Sequence, residues 1–222
     1  MITPLLLLAL HVGPAPTCDL APTASPSATP PAAAAPRDSS LLALYESGVP
    51  YETFLAKAEA RRAMWVRNSE QAVVAPDALA SAQAIPGRWR ILVSAVDGCS
   101  DSVNTIPYLA KLVALVPSLE MRIVLPGPGR VIMEAHRTPD GRPATPTVVI
   151  LDGEGRDVGC WVERPAALQE MALKAREAGT LDDFQRNKQQ WYDADAGAST
   201  VREVVAVIAA AAAGSPLCLQ GR

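Results

Sequence analysis

The stretch WRILVSAVDGCSDSVNTIPYLAKL, residues 89–112, decides the fold. Residues 89–96 form an apolar run of strand length, bounded by Asp97-Gly98. A helix follows from Ser100, and Cys99 stands at the join. A sulfur there faces the free backbone N–H groups and the positive end of the helix dipole, both of which favour thiolate over thiol. That placement suits thiol–disulfide chemistry. Three residues on, where a second cysteine would resolve a mixed disulfide, the chain has Ser102.

The 222 residues, 49% of them hydrophobic, suffice for one domain with a proper core, or a domain with appendages. The net charge of −3 comes with no basic run, so neither nucleic acid nor anionic lipid is an expected partner. The four cysteines, Cys18, Cys99, Cys160 and Cys218, make no CxxC pair and no zinc-ligand spacing, and there are only two histidines. No metal and no other cofactor is expected. Cys160 reads as a small buried strand residue, and Cys18 and Cys218 as tail residues without a role.

Outward from the central stretch, residues 5–12 form an apolar run too short to span a bilayer. It resembles the hydrophobic part of a secretory signal peptide, although no Lys or Arg precedes it. Export is the favoured location, with a cytoplasmic chain carrying a disordered start as the alternative. Residues 13–37 are rich in Ala, Pro, Ser and Thr and read as a disordered linker. The domain is expected over 38–214, with a core at about 88–178, helical extensions on both sides and a flexible tail at 215–222.

Tyr51, Phe54, Leu55, Ala58 and Trp65 recur at helical spacings and predict one amphipathic helix over 50–70, with a shorter one over 76–84. Beyond the central helix, a strand at 119–125 precedes a helical stretch at 129–136. Strands at 147–151 and 156–162 flank Asp152-Gly-Glu-Gly155, a hairpin turn. Pro165 opens a further helix, and two more are predicted at 181–191 and 199–213. Strand–helix–strand alternation predicts parallel pairing, and the hairpin adds an antiparallel edge.

In residues 88–178 the chain resembles the thioredoxin superfamily. Asp97-Gly-Cys-Ser-Asp-Ser102 occupies the active-site turn, and Pro107 falls where the family carries a proline in the active-site helix. Ala144-Thr-Pro-Thr147 matches the loop whose cis-proline faces the reactive cysteine, and the hairpin and closing helix follow in order. More narrowly, Asn104-Thr-Ile-Pro-Tyr-Leu109 and Gly159-Cys-Trp-Val-Glu-Arg-Pro165 look like a bacterial branch with a Trp-Cys-Gly-Asp-Ser/Cys turn. The resemblance implies an α/β, thioredoxin-like domain with a central mixed sheet of about four strands flanked by helices. It also implies Cys99 as nucleophile, Gly98, Ser100, Asp101 and Ser102 as its turn, and Thr145-Pro146 as a cis pair offering backbone groups to a substrate.

Asp101 complements the helix dipole, but its charge beside Cys99 is expected to oppose thiolate formation. Ser100 and Ser102 can hydrogen-bond the sulfur or cap the helix. Two departures weigh against ordinary thioredoxin turnover. Ser102 cannot resolve an adduct, and Val93 stands where many thioredoxins bury a proton-relaying acid. Arg137 and Arg142, flanking the loop before Pro146, read as solvated loop charge, His136 as a helix end, and Trp65 and Trp161 as packing residues.

These features predict a monothiol oxidoreductase. Cys99 forms a mixed disulfide with a substrate protein or small thiol, and an external thiol releases it. A monomer is expected. The rival is a redox-inactive thioredoxin-fold module that binds peptides or proteins through the same groove. The redox reading requires a sulfur that solvent can reach, opposite the Thr145 carbonyl.

Overall fold

The structure is a computed structural model that describes residues 38–221. The expected linker and Cys18 lie outside the described residues. In chain order the elements are α1 (Asp38–Ser47), α2 (Tyr51–Lys57), α3 (Arg62–Gln71), α4 (Pro76–Gln83), β1 (Trp89–Ser94), α5 (Ser100–Leu115), β2 (Leu119–Val124) and α6 (Arg130–Ala135). Then follow β3 (Thr147–Leu151), β4 (Asp157–Val162), α7 (Ala166–Glu177), α8 (Leu181–Asp195), α9 (Ala198–Ala212) and β5 (Leu217–Leu219).

The strands form one mixed sheet in the order β2-β1-β3-β4-β5. β1 runs parallel to β2 and antiparallel to β3, the hairpin joins β3 to β4, and β5 lies parallel to β4. The sheet is covered on both faces, which is why β1 and β3 read as continuous apolar runs rather than alternating ones. Ile91, Val93, Val148 and Ile150 pack among α3, α4, α5 and α9. Leu92, Val149 and Leu151 turn the other way, onto Leu41 and Tyr45 of α1 and Ile132 of α6. A smaller cluster joins α7 and α8 through Leu168, Ala172, Phe184 and Tyr192.

Two expectations are corrected. The single helix over 50–70 is broken into α2 and α3, because Ala58 turns extended (ψ 125°) and Arg61 is left-handed (φ 52°). The amides released at the break, of Glu59 and Ala60, donate to the Asp97 carboxylate. The expected tail at 215–222 carries a fifth strand, so its backbone groups are met by β4.

Pro107 lies within α5 and is buried. It has no N–H for the Val103 carbonyl four residues earlier. Asn68 of α3 supplies the missing donor, with Nδ2 2.8 Å from that oxygen. At the other end of the helical extension, Gly197 (φ 76°) faces Tyr108 so closely that a Cβ would come 2.0 Å from the ring. Only glycine admits that approach of the α8–α9 turn to α5.

Candidate active site

Cys99 caps the N-terminus of α5. Its extended backbone (φ −76°, ψ 124°) lets its carbonyl accept from Val103 N at 3.1 Å while Sγ accepts from Ser102 N at 3.3 Å. The Thr145–Pro146 bond is cis, and the Thr145 carbonyl oxygen lies 3.1 Å from Cys99 Sγ. The turn and the proline loop, 46 residues apart in sequence, therefore meet at the sulfur.

The expectation of a solvent-reachable sulfur is not met. Cys99 has 0% exposure and Thr145 1%. The cysteine is also disulfide-bonded, so in this state its sulfur carries no proton. Of the other turn residues, Gly98, Asp101 and Ser102 are buried and Ser100 is half-buried. The Ser102 hydroxyl has no hydrogen-bond partner among the described residues. Val93 sits in the apolar core at 0% exposure, as its side chain demands.

The residues preceding the turn hold it in place, a role its sequence did not show. Asp97 Oδ2 accepts from Glu59 N and Ala60 N, both at 2.8 Å. Arg61 Nε donates to the Gly98 carbonyl at 2.7 Å, and Trp65 Nε1 donates to the Asp97 carbonyl at 2.9 Å. Trp65 is thus both a packing residue, edge-on to Phe54 at 5.2 Å, and a clamp on the turn. Beside Asp97, a cleft of about 450 Å3 opens at the end of β2, lined by Val49, Phe54, Lys57, Leu125 and Pro128.

Asp101 has a different environment from the one expected. Fully buried, it meets Arg164 Nη2 at 3.2 Å, Lys188 Nζ at 3.0 and 3.1 Å, and Tyr192 Oη at 2.7 Å. Burial pushes its carboxyl up, but the two cations and the Tyr192 hydroxyl outweigh burial and hold it below the usual range. Burial, with the Asp101 charge added, pushes the Tyr192 phenol well above its ordinary value. The negative charge expected to oppose a Cys99 thiolate is therefore compensated by Arg164 of the β4–α7 connection and Lys188 of α8.

The loop charge is also corrected. Arg142 is no solvated residue, since it bonds Asp140 at 2.8 Å and the buried Glu163 at 3.2 Å. Glu163 pairs in turn with Arg164, which links the proline loop to Asp101. Arg137, by contrast, stays at the surface with Glu134 and the Gly141 carbonyl. Trp161 is buried and donates from Nε1 to Glu203 at 2.7 Å.

A second cluster joins residues far apart in sequence. Cys160 and Cys218, partners across β4 and β5, form a disulfide, which corrects the reading of Cys218 as a residue without a role. His136, at the end of α6 as expected, stands beside them.

The thioredoxin family profile matches residues 48–183, more than half of the chain. The chain belongs to the thioredoxin family. Among solved structures, a protein of unknown function from Pseudomonas aeruginosa is similar at 23% identity with a TM-score of 0.57, covering 74% of this chain and 94% of that one. An HIV epitope-scaffold is similar at 22% identity with a TM-score of 0.56, covering 75% of this chain and 96% of its own. Both likenesses concern the thioredoxin fold alone. No curated protein matches the chain. The family assignment agrees with the order in which this structure presents cysteine turn, proline-bearing helix, cis-proline loop and hairpin.

Proposed function

We propose that this thioredoxin-family chain is a monothiol thiol–disulfide oxidoreductase with Cys99 as nucleophile. The observation that carries the reading is the position of Sγ, which accepts the Ser102 N–H at the start of α5 and faces the Thr145 carbonyl at 3.1 Å. Because Cys99 is buried and disulfide-bonded, an external thiol must first reduce that bond and free the sulfur; the Cys99 thiolate then attacks one sulfur of a substrate disulfide. A Cys99–substrate disulfide forms and the other sulfur leaves as thiolate. An external thiol then attacks the adduct, restoring Cys99 as thiolate and carrying the substrate sulfur away in a new disulfide. Thr145 and Pro146 line the extended substrate, and the apolar cleft beside Asp97 gives room for a neighbouring apolar group.

The chain acts as a monomer on a substrate protein or a small thiol. Among the described residues no helix is long and apolar enough to cross a membrane. Export is supported by the Cys160–Cys218 disulfide, a bond that persists in oxidising compartments.

The second reading, a redox-inactive module using the same groove, draws on the complete burial of Cys99. One experiment separates them: reduction of a small mixed disulfide with glutathione supplied, comparing the native chain with Cys99→Ser. Loss of turnover in the variant supports the oxidoreductase. Equal rates overturn it, and peptide binding retained by both chains would then identify the module.

A further inference from the structure

Cys160 on β4, Cys218 on β5 and His136 at the end of α6 have no part in the chemistry proposed for Cys99. Their ligand atoms, the two Sγ and a ring nitrogen, all lie within 4.8 Å of one another. The Cys218 sulfur is 3.9 Å from His136 Nδ1. On its other side, His136 Nε2 is 2.6 Å from Asp157 Oδ2. A carboxylate has no proton to give, so in the neutral ring the proton sits on Nε2 and the Nδ1 lone pair points toward the sulfurs. That carboxylate–histidine pairing is the arrangement that orients a histidine for metal ligation.

The surroundings are built closely around the two sulfurs. Cys160 is fully buried with Ala144 and Val162, whereas Cys218 is half-buried and reachable. Gln220 takes a left-handed conformation (φ 54°) and brings Gly221 over the pair, where a Cβ would stand 2.5 Å from one sulfur and 2.8 Å from the other. A tetrahedral cation with bonds of about 2.3 Å to sulfur and about 2.0 Å to nitrogen holds such atoms roughly 3.5–3.8 Å apart. The His136–Cys218 separation is already close to that spacing.

We propose that Cys160, Cys218 and His136 form a redox-gated site for a thiophilic divalent cation such as zinc. The disulfide is the closed state, because its sulfurs carry no charge to bind with. A dithiol reductant opens the site: it transfers two electrons and two protons to Cys160 and Cys218 and leaves as its own disulfide. The cation then displaces the two thiol protons and takes both thiolates and His136 Nδ1, with a fourth position open to water. Asp157 holds the imidazole through Nε2. The same cation clamps β5 to β4 in place of the disulfide.

The test is independent of the Cys99 reading, since it uses the full chain with Cys18→Ser and Cys99→Ser, which leaves only the two cysteines of the site. The protein is reduced with a non-chelating phosphine and titrated with cobalt(II), then with zinc. The expected result is one cation per reduced chain with cobalt–thiolate charge-transfer absorption, and none in the oxidised chain. Asp157→Asn weakens affinity at least tenfold, at the lower end of about 10–100-fold for such a partner, and Cys218→Ser abolishes the absorption. No uptake by the reduced chain overturns the proposal, as does equal uptake by the oxidised chain or by Cys218→Ser. The reduced-against-oxidised comparison is made on the one Cys18→Ser, Cys99→Ser sequence, so the test stands even if Asp157→Asn or Cys218→Ser fails to fold.

Discussion

Lys188 Nζ, on α8, lies 3.0 and 3.1 Å from the two carboxylate oxygens of Asp101, in the first turn of α5 and two residues beyond Cys99. Both side chains are buried, at 6% and 0% exposure. Removing one partner of such a pair leaves a buried charge, which costs more than the pair contributes. Lys188→Met is therefore expected to destabilise the fold by about 3 kcal/mol, the lower end of the range because Arg164 still reaches Asp101. Urea unfolding checks this, and a midpoint unchanged from the native chain would contradict it.

The acid limb of stability follows from the same network. Asp140 is held at about 2, below its ordinary 3.8: burial pushes it up, but hydrogen bonds from Arg142 and Thr138, and the Arg142 and Arg176 charges, bring it down. Asp101 is lowered likewise. A folded-state pKa below the unfolded value contributes stability that is fully present above the unfolded value and lost as pH falls through the folded one. The native chain should lose this part of its stability between about pH 4 and pH 2. Asp140→Asn should show a shallower decline over that window in urea midpoints measured against pH.

Asn68 answers for the carbonyl that Pro107 leaves without a helical donor. Asn68→Leu keeps the volume close but strands a buried acceptor, with an expected loss of about 1–3 kcal/mol. Adding Pro107→Ala restores an N–H four residues after Val103. The double variant is expected to recover part of the loss, and full additivity of the two changes would refute the assignment.

Ser102 stands three residues after Cys99 with its hydroxyl buried and unbonded among the described residues. Ser102→Cys therefore loses no described hydrogen bond and places a second thiol one helical turn from the nucleophile. The variant should release one equivalent of substrate thiol from a mixed disulfide without added glutathione, by resolving the adduct internally and ending as a disulfide between positions 99 and 102, which an added reductant must reopen before a second cycle. A first release that still needs an external thiol would show that the two sulfurs do not meet.

Much of this protein was legible in the chain itself. The apolar run at 89–96, the switch to a helix at Ser100 and the hairpin at Asp152-Gly-Glu-Gly155 are encoded by neighbouring residues, so each element appears close to where its pattern predicts, whereas the cis bond at Thr145-Pro146 was expected from the family resemblance. The break at 58–61 was not legible. The amides freed there are met by the Asp97 carboxylate, 37 or more residues away, and a local helical periodicity continues straight through the break.

Local pattern determined the elements, their order and the residue at the head of α5, because hydrogen bonds within a helix and side-chain alternation in a strand act over a few positions. Only the tertiary structure decided what surrounds that residue. Lys188 neutralises Asp101 across 87 positions, and Cys218 bonds Cys160 across 58. Burial and long-range charge depend on which distant segments the packed fold brings together, and no periodicity along the chain records that.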